Sequence, residues 1–239
     1  MKSIFALALI SFVLNSTAGD KKDKTPWKTI FNGKDFTNWK IVGSTGHAEV
    51  KDSAFWCHMT ANTTEHTFVT TKEKYGDFIL EMDVNTDLGY NTGILLRCAD
   101  KPVDCDTCKV SLYGYQIKID PSPTRRWTGG IFDDFGASWC WLYDLSKDER
   151  ARKAYQIGQW NHFRVEAIGS SIKVWVNGIP TTNLVNQKYS AGYIALKIHS
   201  LKNQPEEEMK VGRFKNIRIM TKNLDKNLLE MDLMPLKVN

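Results

Sequence analysis

The sequence has no apolar run long enough to cross a bilayer as a helix: its longest, from Ile4 to Leu14, falls well short of the about 20 residues required. It also lacks any concentration of basic residues. A formal charge of +5 is scattered over 239 residues, with no run or basic helix of the kind that tracks phosphates, so nucleic acid is a poor partner for it. No nucleophile elbow, zinc-binding helix or glycine-rich phosphate loop is present, which argues against the enzyme classes built on those motifs. Internal repeats and Pro/Gly/Ser linkers are missing as well, so the chain reads as one domain.

Cysteine is sparse and odd in number. Five Cys in an exported chain leave at least one unpaired or paired between chains. Cys105-Asp106-Thr107-Cys108 has the spacing of a zinc or redox half-site, yet no second Cys pair or His pair stands at a matching distance. The expectation is a loop staple drawing on Cys98, Cys105 or Cys108 in an oxidising compartment.

What is present begins with a leader. Met1-Lys2-Ser3 supplies a charged start, Ile4 to Leu14 an apolar stretch, and Asn15-Ser16-Thr17-Ala18 the small residues that a signal peptidase accepts. Residues 1–18 are therefore expected to be a signal peptide, and the mature protein a periplasmic or secreted one with no membrane span. Asp20 to Thr25 reads as a charged lead-in, residues 26–222 as the domain, and 223–239 as a tail that docks or frays. A composition 42% hydrophobic and 11% aromatic suits a packed core.

Within the domain the hydrophobic period is two. Phe78, Leu80, Met82 and Val84 alternate with polar or outward residues, and so do Tyr115, Ile117 and Ile119. Phe163 to Ala167, Ile172 to Val176, Ile194 to Ile198 and Arg213 to Met220 behave likewise. Asn177-Gly178 favours a tight hairpin, and one short helix is expected from about Asp148 to Tyr155. Many strands with one oily face each must pair those faces. The predicted fold class is therefore all-β, a two-sheet antiparallel sandwich or jelly roll.

The densest polar cluster lies between Gly93 and Tyr143. Strand parity projects Gln116, Lys118 and Asp120 from one face, about 7 Å apart in succession, a row able to meet adjacent hydroxyls of a sugar. Pro121 to Trp127 follows as a rigid, cationic, aromatic-tipped loop, and Gly129-Gly130-Ile131-Phe132-Asp133-Asp134 returns as a strand. Trp139, Trp141 and Tyr143 come next. Sugar C–H faces stack on aromatic rings while sugar hydroxyls seek amide, carboxylate and guanidinium partners. Trp127 is the preferred platform, whereas Trp39, Trp56, Trp160 and Trp175 read as core or rim packing. His199, of the same parity as Lys197, suits proton transfer. Glu81 and Asp83 share a face, but the Glu-x-Asp-x-Glu spacing of sandwich-fold glucanases would need Glu where Asn85 stands. That argues against standard retaining chemistry.

Several segments together resemble the 3-keto-disaccharide hydrolase domain family. They are Ile30 to Asp35 with Trp39, Asn91 to Arg97, Gly114 to Asp120, Thr128 to Asp133, Trp160 to Arg164, Trp175 to Gly178 and Arg213 to Ile219. They run in the family's order over nearly the whole mature chain. The resemblance implies a concanavalin A-like sandwich and a hydrolase or lyase acting on sugars oxidised at C3. Asp120 or His199 would then serve as base or acid, Lys118 and Arg97 would stabilise an enolate, and Gln116, Trp127, Asp133 and Tyr143 would hold the glycan. No cofactor is demanded, and the enolate-stabilising role stays open to a divalent metal. Many relatives carry Glu just before this Asp, where the present chain has Gln116 and Lys118. The alternative function is therefore a carbohydrate-binding module that does not cleave.

Overall fold

The computed structural model describes residues 26–43, 46–59, 66–100, 112–120, 122–133, 140–199 and 210–238. The expected signal peptide, Cys105, Cys108, Asp134 and Trp139 lie outside the described residues. Along the chain come β1 (Lys28–Thr29), β2 (Trp39–Val42), β3 (His47–Lys51), β4 (Ala54–His58), β5 (Thr67–Thr71), β6 (Phe78–Thr86), β7 (Thr92–Asp100) and β8 (Leu112–Ile119). Then follow β9 (Ile131–Asp133), β10 (Trp141–Tyr143), helix α1 (Glu149–Arg152), β11 (Asn161–Ile168), β12 (Ser171–Val176), β13 (Ile179–Val185), β14 (Tyr193–Ile198), β15 (Val211–Met220) and β16 (Leu236–Lys237).

Among the described residues two sheets form. The larger runs β16-β13-β12-β11-β6-β15-β4-β3, with β1 against β15; the smaller runs β10-β9-β8-β7-β14-β5-β2. Nearly all pairs are antiparallel, the exception being β13 with β16. The predicted alternation decides what lies between the sheets. Phe78, Leu80, Met82, Val84, Phe163, Val165, Ile172 and Val174 face Ile94, Leu96, Tyr115, Ile117, Ile119, Ile194, Leu196 and Ile198 in one continuous core. Burying side chains of this size stabilises by about 1.5–3 kcal/mol each, and a slip of one residue in any strand would move its apolar set to the wrong face.

Turn chemistry fits the connections. Asn177 (φ 51°) and Gly178 (φ 77°) both adopt the left-handed conformation, which a two-residue hairpin between right-twisted strands requires. The helix is a single turn, shorter than the sequence predicts, with Asp148 as N-cap accepting from the Ala151 N–H at 2.9 Å.

The C-terminal tail docks on the outer face of the larger sheet. Arg164 donates to the Asn227 carbonyl at 2.5 Å, the Leu229 N–H to Glu166 at 2.9 Å, and Asn183 to the Leu233 carbonyl at 2.5 Å. That sheet therefore has part of its outer face covered by its own chain, and β16 adds a strand beside β13.

Candidate functional site

Because Tyr115, Ile117 and Ile119 belong to the core, Gln116 and Lys118 emerge on the opposite, outer face of the smaller sheet. The same reasoning places Ala195, Lys197 and His199 there from β14, and His66, Phe68 and Thr70 from β5. Pairing aligns these into rows across the strands. Phe68 opposes Lys197, and Gly93 opposes Lys118. In the neighbouring row Thr70 opposes Ala195, Ala195 opposes Leu95, Leu95 opposes Gln116, Gln116 opposes Phe132, and Phe132 opposes Trp141.

The centre of this face is polar and shielded. Gln116 is fully buried and Lys197 is 3% exposed, and the Lys197 Nζ donates to the Gln116 Oε1 at 3.2 Å. Gly93 lies beneath that contact: a Cβ there would stand 2.4 Å from the Gln116 Nε2. Among the described residues the buried Thr70 hydroxyl has no hydrogen-bond partner, an arrangement that costs free energy unless it is satisfied by another group or by water. Towards one end, the His66 and His199 rings lie 4.5 Å apart.

Beside the polar row stands an aromatic wall. Trp127 meets Trp141 edge-on at 5.0 Å, and Phe132 meets Trp141 edge-on at 5.6 Å. The Arg125 guanidinium lies 5.6 Å from the Trp127 ring centre and 5.9 Å from that of Trp141. Asp120 fixes that guanidinium through a 2.5 Å bond to Nε. The loop is closed underneath by Thr128, whose hydroxyl accepts from the Asp120 N–H at 2.8 Å, and by Arg152, which donates to the Thr124 and Arg125 carbonyls. Lys118, Lys197 and Arg125 against Asp120 give the face an excess of positive charge, suited to a developing anion.

The structure thus brings Gln116, Lys118, Asp120, Trp127 and His199 to one face, with Asp120 and His199 separated by one intervening strand, about 10 Å between backbones. It does not bring Arg97, Asp133 or Tyr143 there. Arg97, at φ 50° in a β7 bulge and 1% exposed, points away from the row. Its guanidinium donates to the Gly76, Gly169 and Ala167 carbonyls and to Asp77. This clamps the two sheets together, and burial, partly offset by Asp77, lowers its pKa. Asp133 pairs with Tyr115 on the core side, where the Tyr189 hydroxyl (2.8 Å) and the Lys188 ammonium bind it. Tyr143 packs on the core because a register shift after Trp141 breaks the alternation, and burial raises its pKa.

Lys197, His66, Arg125 and Trp141 also stand on this face, and sequence reasoning did not select them. Lys197 had a signal, since it is the single charge within the apolar strand β14, two residues before His199. His66 had none, because its neighbour across the sheet is distant in sequence. No set of three metal-ligating side chains converges on this face among the described residues.

On the far side of the molecule a cleft of about 570 Å³ is lined by Asp83, His162, Asn216 and Arg218 among others. Its groups are committed to one another: His162 lies 2.9 Å and Asn216 2.6 Å from the Asp83 carboxylate. Trp56 and Trp160 share that outer face beneath Arg213 and Lys215, while Trp39 is core.

Residues 26–220 match the model of the 3-keto-alpha-glucoside-1,2-lyase-like domain. No curated protein matches the sequence. Among solved structures, a protein from Parabacteroides distasonis assigned as a glycosyl hydrolase superposes with a TM-score of 0.57 at 16% identity, covering 82% of this chain and 94% of its own. The carbohydrate-binding module CBM66 from Bacillus subtilis gives 0.53 at 14%, covering 77% and 96%. The kappa-carrageenase of Pseudoalteromonas carrageenovora, solved with a carrageenan oligotetrasaccharide, gives 0.52 at 11%, covering 87% and 98%. At these identities the likeness establishes the fold alone, a two-sheet sandwich shared with a Bacillus subtilis protein of galectin-like fold.

Proposed function

Since the chain belongs to the 3-keto-alpha-glucoside-1,2-lyase-like domain family, we propose that it is an exported lyase or hydrolase of 3-keto-glycosides, working on the outer face of the smaller sheet. The observation that carries this reading is the cationic polar row of Lys118, Gln116 and Lys197 set against the Trp127–Trp141 wall. An aromatic wall takes the C–H face of a sugar ring, and the row meets the hydroxyls and the C3 carbonyl.

The chemistry needs no carboxylate nucleophile. A ketone at C3 acidifies the C2 hydrogen. His199, with His66 beside it, removes that proton, and the electron pair moves into a C2–C3 double bond with the negative charge on the C3 oxygen. Lys118 and Lys197 stabilise that charge. As the carbonyl re-forms, the pair shifts to a C1–C2 double bond, the C1–O bond breaks, and the departing oxygen takes a proton from a protonated imidazole. Addition of water, hydroxyl to C1 and proton to C2, completes hydrolysis. Asp120 has a positioning role through Arg125.

The test is incubation of the mature protein with 3-keto-glucosides and with ordinary glucosides, with and without chelator. The expected result is aglycone release from the keto substrates alone. A second reading, a carbohydrate-binding module, is favoured by Gln116, a neutral amide engaged by Lys197 that supplies no acid or base to the row. Glycan binding with no product from any substrate would select it.

A further inference from the structure

At its exposed edge the larger sheet carries a cluster that the proposed sugar chemistry does not use. His47 and Glu49 stand two apart on the edge strand β3 and so share a face. Ala48 between them is core, which places both on the outer side. His58 on β4 pairs directly with His47, and its Nε2 lies 3.1 Å from the Glu49 Oε1. The two imidazole centres are 5.3 Å apart, and one ligand atom from each of the three residues can be chosen so that all lie within 4.8 Å of one another.

We propose that His47, Glu49 and His58 form a binding site for Zn²⁺ or a similar first-row divalent ion. A tetrahedral zinc with ligands at ~2.0–2.1 Å holds neighbouring ligand atoms roughly 3.3 Å apart. The Glu49–His58 edge already has that length, and the His47 ring, on an exposed residue, closes the third corner by side-chain rotation. Two imidazoles with one carboxylate are a ligand set that zinc takes; the imidazoles favour it over magnesium or calcium, and a fourth position is left for water. Lys51 and Arg213 are each drawn over the Trp56 ring at 4.5 Å.

The site sits on the sheet opposite the sugar face, so its metal acts on the fold. Among the described residues strand β3 has β4 as its one neighbour in the sheet order, and an edge strand with an unpaired backbone row invites fraying or foreign strand pairing. A metal bridging His47 and Glu49 to His58 clips that strand down and stabilises the folded state by an amount that grows with the logarithm of free metal concentration over Kd.

The experiment is a calorimetric titration of the metal-stripped mature chain with zinc chloride, repeated with cobalt chloride under visible absorption. One equivalent of zinc is expected, a cobalt spectrum of tetrahedral intensity, and a zinc-dependent rise in melting temperature. His47→Ala, His58→Ala and Glu49→Gln should each weaken binding at least tenfold and abolish the rise. Glu49→Gln keeps the side-chain size, so its metal-free melting temperature should stay close to the parent's and separate ligand loss from misfolding. Absence of stoichiometric binding, or one equivalent that persists in all three variants, overturns the assignment.

Discussion

The Gln116 side chain crosses strand β7 above Gly93 and accepts a hydrogen bond from the Lys197 ammonium at 3.2 Å. This contact ties β8 to β14 over an intervening strand, and only a residue without a Cβ leaves room for it. Gly93→Ala would put a methyl 2.4–2.5 Å from the Gln116 Nε2 and Cγ, so the amide must leave. Overpacking of this kind costs about 1–3 kcal/mol. We expect a lower melting temperature together with loss of turnover, measured on the same preparation.

Lys118 and His199 carry the proposed charge stabilisation and proton transfer. Lys118→Met should lower kcat by about 10²–10³-fold with KM little changed, and His199→Ala by roughly 10²–10⁴-fold. Steady-state kinetics on a 3-keto-glucoside read both. Full activity in either variant would remove that residue from the mechanism.

Trp127 meets Trp141 edge-on and lies under Arg125, so its removal should weaken glycan binding without unfolding the sandwich. Trp127→Ala is expected to raise Kd about tenfold, close to 1.4 kcal/mol, by calorimetry. An unchanged Kd would move the platform elsewhere on the sheet.

Arg97 separates stability from function. Its guanidinium serves carbonyls on two sides of the sandwich and is 1% exposed. Arg97→Met leaves those acceptors unsatisfied and should destabilise by about 3 kcal/mol in denaturant unfolding. Below the new melting temperature, Kd and KM should match the parent.

Glu81 provides a pH signature. Burial raises its pKa, but bonds from Arg218 and Arg164 outweigh that and leave it below the ordinary carboxylate value of 4.5. A carboxyl depressed on folding contributes stability above its unfolded pKa and loses it as pH falls towards the folded value. The parent should therefore lose stability as pH drops below about 4.5. Glu81→Gln should be less stable at pH 7, by about 2–4 kcal/mol, and show a shallower acid slope.

Strand alternation made much of this site legible before the fold was known. Gln116 and Lys118 follow from Tyr115, Ile117 and Ile119 being core, and Lys197 and His199 follow from Leu196 and Ile198 in the same way. Parity failed where the backbone departs from a regular strand. The left-handed Arg97 sits in a bulge, and the shift after Trp141 turns Tyr143 inward. Asp133 was misplaced for a different reason: its strand is so short that no apolar alternation marks its faces.

By itself the chain determined an all-β sandwich with a polar row on one outer face, because a period of two is a local property of covalent geometry and of where oily side chains must go. The tertiary structure alone decided that His66 meets His199, that Gln116 reaches Lys197, and that Arg97 serves as an internal clamp. Those relationships depend on which strands become neighbours and where ladders slip, and that choice is made by the packing of the whole core.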